Sequence, residues 1–202
     1  MIILGIDPGY DRVGVGIIER SKSLDIYVFS DCIETDKNDT FVNRLSHINR
    51  SLSLILNQYR PDLLVIESLF FAKNVKTAID VAQARGSILL TLNTYIESIQ
   101  TLNKKERSTK KPIRCVSLLE LTPMQVKSSL VGNGHADKKS VSYMVYQILK
   151  LDTNTNFINK NTQQNFKEIK ENIKNKNKIL DDEIDALSIA LAGCQYQKLA
   201  KF

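Results

Sequence analysis

Cysteine is scarce: Cys32, Cys115 and Cys194 are odd in number and far apart. That spacing argues against a zinc site or a disulfide framework, and it fits a reducing cytoplasm. The chain also lacks any apolar run near the ~20 residues needed to span a bilayer, and no charged region precedes its amino-terminal apolar stretch. Membrane insertion and secretion are therefore not expected. Acidic residues do not dominate either, since 28 Lys plus Arg face 22 Asp plus Glu, for a formal charge of +6 and a pI near 9.1. A phosphate-rich partner suits that balance, although composition does not distinguish DNA from RNA. The 202 residues, 43% of them hydrophobic, are enough for one domain with a substantial core.

What is present is a set of carboxylates at informative places. Ile2-Ile3-Leu4-Gly5-Ile6 is nearly continuous in apolar residues, and Asp7-Pro8-Gly9 stops it with a residue that cannot donate to a ladder and one suited to turns. Asp7 therefore belongs at the carboxyl end of a strand. Leu63-Leu64-Val65-Ile66 repeats the design and closes on Glu67. Open sheets covered by helices bind ligands at that edge. A single acidic residue after a strand often only caps a helix or solvates a turn. Here Asp182 and Asp185 add a second pair, at i, i+3 on one helix face. Asp181 and Asp185, at i, i+4, share a face as well, so spacing alone leaves Asp181 open. Such a cluster of hard oxygen ligands matches the needs of two-metal phosphoryl chemistry.

Further strands are expected over Val13–Ile18, where Gly14 and Gly16 open one face to close approach, and over Leu24–Ile33, completing an antiparallel meander. A helix follows from Thr40 to Tyr59 with Phe41, Leu45, Ile48, Leu52 and Ile55 on one stripe, ended by Pro61. The pattern from Asn74 to about Leu102 is a long helix in which Ala78, Ala82 and Gly86 stack at i, i+4. Small residues there permit close packing of a helix or a second subunit, with packing inside the core the simpler expectation. A strand over Arg114–Leu121 precedes Thr122-Pro123, an N-cap with proline in the first helical position, and a helix to about Leu130. Asp137 begins another helix, to about Lys150. Residues 103–112 and 152–178 look inserted into a single domain spanning 1–202. The order of elements fits a mixed five-stranded sheet with helices on both faces, an α/β layout of the ribonuclease H-like kind.

At this point Leu4-Gly5-Ile6-Asp7-Pro8-Gly9 resembles the first motif of the RuvC-type Holliday-junction resolvases, and Ile66-Glu67-Ser68-Leu69-Phe70-Phe71-Ala72-Lys73-Asn74 the second. Ala82-Gln83-Ala84-Arg85-Gly86, Thr122-Pro123-Met124-Gln125-Val126-Lys127, Val131-Gly132-Asn133-Gly134 and Asp182-Glu183-Ile184-Asp185-Ala186-Leu187 continue the resemblance in order. It implies a homodimeric endonuclease that nicks two strands of a four-way DNA junction symmetrically, beside the RuvA and RuvB branch-migration motor. It also implies two Mg²⁺ ions per active site, with Mn²⁺ as a substitute, held by Asp7, Glu67, Asp182 and Asp185. The family's D-x-x-D-A pattern selects Asp182 over Asp181. By the same resemblance Lys127 and Lys138 lie near the scissile phosphate or the DNA backbone, Lys138 with a catalytic part and Lys139 as its neighbouring rival, and Phe70 stacks on a base near the crossover.

Three other functions compete. A nuclease of the same fold acting on RNA or a flap is one, and a non-catalytic junction binder is another. The third, an actin-like ATPase using Asp7-Pro8-Gly9 as a phosphate loop, needs a longer, duplicated chain.

Overall fold

The computed structural model describes residues 1–22, 24–69, 75–106, 114–151 and 179–199. Strands β1 (Ile2–Asp7), β2 (Arg12–Ser21) and β3 (Leu24–Glu34) form the meander, and helix α1 (Phe41–Tyr59) leads into β4 (Leu63–Glu67). Helix α2 (Val75–Glu106), strand β5 (Ser117–Leu121) and helices α3 (Pro123–Val131), α4 (Lys138–Leu149) and α5 (Asp181–Leu199) follow. The sheet has the order β3-β2-β1-β4-β5. Its first three strands are antiparallel, whereas β4 runs parallel to β1 and β5 parallel to β4.

The period of two along each strand sorts its side chains between two cores. Leu4, Ile6, Val13, Val15, Ile17, Leu64 and Ile66 meet Ile48, Leu52, Leu56, Ile88 and Leu92 of α1 and α2. On the other face Ile3, Ile18, Leu63, Val65 and Leu121 meet α3, α4 and α5, through Val126, Val141, Val145, Leu187 and Ala190 among others. Asp7 is in phase with Ile3, and Glu67 with Leu63 and Val65. The alternation thus aims both carboxylates at the face that carries α5.

Glycine lets α5 sit unusually low on that face. A Cβ built on Gly5 would overlap the Ala186 carbonyl oxygen, one on Gly14 the Asp182 carbonyl oxygen, and one on Gly16 would lie 2.6 Å from the Leu187 amide nitrogen. The open face that Gly14 and Gly16 create is therefore filled by the helix that bears the late acidic pair. Gly193 returns the fit, since a Cβ there would strike the Val65 side chain.

Capping follows local chemistry. Thr122 accepts from the Gln125 amide at 3.2 Å while Gln125 Oε1 accepts from the Thr122 amide at 2.8 Å, a reciprocal box that starts α3 with Pro123 in its first turn. Asp137 caps α4 by accepting from the Ser140 amide at 2.7 Å, and Thr40 caps α1.

Three expectations need correction. Ala78, Ala82 and Gly86 do not line the core. Ala84, Ile88, Leu92 and Tyr95 form the inward stripe, and a Cβ on Gly86 would meet nothing within 4 Å. The stripes differ because a step of two residues turns about 200° around a helix. The long helix ends later than Leu102, because α2 continues to Glu106 through good helix formers, and the rest of the proposed insert at 103–112 lies outside the described residues. Asn103 donates to the Arg114 carbonyl at 2.6 Å, tying the two sides of this connection together. Strand β5 starts at Ser117 rather than Arg114, whose guanidinium reaches Asp62 at 3.1 Å instead. Residues 152–178, the second proposed insert, lie outside the described residues. No helix among the described residues is long and apolar enough to cross a membrane.

Candidate active site

Asp7 and Glu67 are the last residues of β1 and β4. The two strands are parallel neighbours with Ile6 opposite Ile66, so the carboxylates emerge side by side. The end of β4 is held firmly. The Ser68 amide donates to the Leu121 carbonyl at 2.8 Å, and Arg85 Nε donates to the Glu67 carbonyl at 3.3 Å while its other end pairs with Glu120. The turn after Asp7 is braced from α1. Arg44 is buried, stacks over the Tyr10 ring at 3.7 Å, pairs with Asp11 and donates from Nε to Thr35 Oγ1 at 2.9 Å. Both strand-borne carboxylates are therefore set in rigid surroundings.

Helix α5 delivers the other pair. Its first turn is anchored by Glu183, which is fully buried: Oε2 accepts from Ser30 Oγ at 2.6 Å and Oε1 accepts from the Leu180 amide at 3.2 Å. With that turn fixed over Gly14, Asp185 faces a cavity of about 190 Å³ shared with Asp7, Glu67, Lys127 and Lys138 and walled by Pro123, Val126, Val141 and Ser188. Lys138 Nζ donates to Asp185 Oδ2 at 2.8 Å. That bond raises the Lys138 pKa, so the ammonium stays charged.

Asp182 belongs to the same cluster but does not line the cavity. Its Oδ2 lies 3.6 Å from Arg12 Nη1 and 3.9 Å from Cys32 Sγ. Burial, with Asp182 and Glu34 adding repulsion, pushes the Cys32 thiol up to about 12, which keeps it a neutral, weak donor. Asp181, the rival for Asp182, is 83% exposed and sits 3.8 Å from Lys138 Nζ. Lys138 rather than Lys139 lines the cavity. Phe70 lies outside the described residues, as does Phe71.

The electrostatics follow from crowding. Burial, then Asp185 and Asp182, push the Asp7 carboxyl up to about 6 against the opposing charge of Lys138. Burial, then Asp7 and Asp185, push Glu67 up to about 7, with Lys127 opposing. Desolvation and like-charge repulsion act in the same direction on both acids. A divalent cation would offset both, and an all-carboxylate donor set suits a hard ion such as Mg²⁺ or Mn²⁺. Among the described residues no group of three or more side chains stands close enough to hold an ion as it is. Asp185 is paired with Lys138 and Asp182 with Arg12.

Sequence patterning marked Asp7, Glu67, Asp182 and Asp185, the family resemblance added Lys127 and Lys138, and the fold brings all six to one edge of the sheet. Arg12 and Glu183 were missed as contributors. Glu183 had a local signal, an acidic residue in the third position of a helix. Arg12 had none, because its link to Asp182 spans almost the whole chain.

Comparison with known proteins shows the family and the fold. The family model described as crossover junction endodeoxyribonuclease RuvC matches residues 3–113 and 108–163. The crossover junction endodeoxyribonuclease RuvC of Brachyspira hyodysenteriae is 38% identical over 199 residues, 98% of this chain and 97% of the relative. That of Thermosipho melanesiensis is 41% identical over 152 residues, 75% of this chain and 85% of the relative. Among solved structures, Thermus thermophilus RuvC in complex with Holliday junction substrate shares the fold, with a TM-score of 0.73 at 23% identity over 99% of this chain and 96% of that one.

Proposed function

The chain belongs to the RuvC family of crossover junction endodeoxyribonucleases and is a Holliday junction resolvase; we propose that Asp7, Glu67, Asp182 and Asp185 hold the divalent cations on which its cutting depends. The observation that carries this reading is the junction of β1 and β4, where Asp7 and Glu67 emerge side by side into a cavity that Asp185 shares. Mg²⁺ is the proposed ion, two per site. When bound, the cations supply Lewis acidity for in-line attack of water on phosphorus and for departure of the 3′ oxygen.

The chain's own part is positioning and charge. Asp7 and Glu67 are carried on strand ends whose backbones are fixed, so they hold their places with little reorganisation. Lys138 and Lys127 line the cavity, where their ammonium groups attract the phosphate and offset charge that builds on its oxygens. With Asp185 holding a cation, the Lys138 ammonium would be free to turn from that carboxylate to the phosphate. The apolar walls, Val126, Val141 and Pro123, limit water around these charges and strengthen them.

The substrate is a four-way DNA junction cut by paired symmetric nicks, with RuvA and RuvB as partners and the cytoplasm as location. Phe70 stacks on a base near the crossover. A homodimer places two sites on one junction, and the outer face of α2 supports it: Ile79 and Leu90 are 52% and 65% exposed, and Gly86 between them is open to close approach. Light scattering that found only monomer at micromolar concentration with junction bound would rule the dimer out.

The direct test compares a synthetic four-way junction, linear duplex of the same sequence and an RNA–DNA hybrid, each with Mg²⁺. Paired nicks confined to the junction are expected, and preference for the hybrid would reject the assignment.

A further inference from the structure

Asp182 does not line the cavity, and its ion partner is an arginine. Arg12 Nη1 stands 3.6 Å from Asp182 Oδ2, and Arg12 Nη2 stands 3.2 Å from Glu34 Oε1. One guanidinium thus bridges carboxylates from α5 and β3. Arg12 opens β2 and pairs across the sheet with Glu34. Two residues on, Gly14 pairs with Asp7. The strand order β2-β1-β4 puts Arg12 on one flank of Asp7 and Glu67 on the other, where Lys127 also lies. The carboxylate cluster is therefore bordered by cations on both sides. Arg12 differs from the lysines in holding the one proposed ligand that does not line the cavity.

We propose that Arg12 is an exchangeable counter-charge: in the cation-free protein it neutralises Asp182, and when a divalent cation binds Asp182 the guanidinium is released to a DNA phosphate flanking the cut. An exposed ion pair of this kind is weak enough for a cation to displace. Glu34 keeps the released side chain at the sheet edge. Arginine stays charged at every relevant pH and presents a planar fork of donors matched to phosphate oxygens, so it suits both positions. Lys138 at Asp185 makes the parallel exchange, so each of the two proposed ligands on α5 has a cation of the chain beside it.

The inference rests on the proposed metal site, and its test reads binding rather than cleavage. Mn²⁺ binding is followed by electron paramagnetic resonance for wild type, Arg12→Gln and Lys37→Gln. Lys37 is 80% exposed and lies 4.0 Å from Asp11, so its loss removes one charge from the same corner without a contact to Asp182. Arg12→Gln should bind Mn²⁺ about two- to five-fold more tightly than wild type, the range an exposed pair accounts for. Lys37→Gln should match wild type. In Ca²⁺, Arg12→Gln should bind a four-way junction more weakly, and the slope of log Kd against log salt should fall by about 1, the loss of one phosphate contact. Equal or weaker Mn²⁺ binding by Arg12→Gln overturns the exchange, as does an equal gain in Lys37→Gln, which would indicate only the general field. An unchanged salt slope overturns the phosphate contact. Failure of wild type to bind Mn²⁺ would bring down the metal site itself, whereas normal wild-type binding with no effect of Arg12→Gln removes this inference alone.

Discussion

The two strand-borne carboxylates and the two on α5 reach the same place by different physics. Asp7 and Glu67 are desolvated, lie beside each other, and have pKa values raised to about 6 and 7 by burial and repulsion. Asp182 and Asp185 are partly exposed and each has a basic partner, Arg12 or Lys138. The strand pair is costly to ionise without a cation, while the helix pair is already compensated. The difference shows how a cluster of like charges survives in a folded chain: part of it is driven toward the neutral form and part is neutralised internally.

Removing a strand carboxylate should have the largest effect. Asp7→Asn keeps the shape of the side chain and loses a ligand, so cleavage should fall on the order of 10³-fold while junction binding persists, since several kcal/mol of Lewis-acid assistance is at stake. Gel assays of nicking and of binding separate the two, and normal Mg²⁺-dependent cutting would remove Asp7 from the site. Lys138→Gln comes next. It releases Asp185 and removes a charge from the cavity, and single-turnover cleavage should drop about 10²-fold. A loss confined to junction affinity, with the chemical step intact, would reduce Lys138 to a backbone contact.

Gly16→Ala tests whether the helix pair depends on the seating of α5. The added methyl group must push the helix off the sheet, at a cost of about 1–3 kcal/mol by overpacking. Chemical denaturation should show that loss, and cation affinity should weaken with it. Retained affinity in a destabilised protein would mean that Asp182 and Asp185 do not rely on the seat.

The smallest expected effect is on pH dependence. Because the folded protein holds the Asp7 and Glu67 pKa values above their unfolded values, the contribution of these groups to stability is full below about pH 4 and is lost as pH rises through about 6 to 7. Cation-free wild type should therefore lose stability between pH 5 and pH 8 relative to Asp7→Asn, by on the order of 1–3 kcal/mol for the Asp7 share, read as a falling melting temperature. Mg²⁺ should stabilise wild type more at pH 8 than at pH 5. Parallel melting curves for the two proteins across that range would show that Asp7 is not desolvated.

Much of this is legible in the sequence alone. Pro8 and Gly9 after one apolar run, and the close of another on Glu67, located two carboxylates at strand ends because a strand's end is a local event. Period-two alternation then fixes which face they point to. Thr122 and Asp137 announced their helices for the same local reason. The small-residue stripe misled, because Ala78, Ala82 and Gly86 carry the mark of close packing without saying what packs there, and the core stripe runs two residues round the helix.

The sequence by itself determined the strand ends, the caps, the acidic spacing of Asp182 and Asp185 and the basic balance, since each depends on neighbours within a few residues or on a sum over the chain. Only the tertiary structure decided that α5 sits on Gly5, Gly14 and Gly16, that Asp185 faces the cavity while Asp182 leans to Arg12, and that Glu183 locks the turn between them to Ser30. Those contacts join residues more than 150 positions apart, and their geometry is set by how closely one backbone approaches another, which no local pattern encodes.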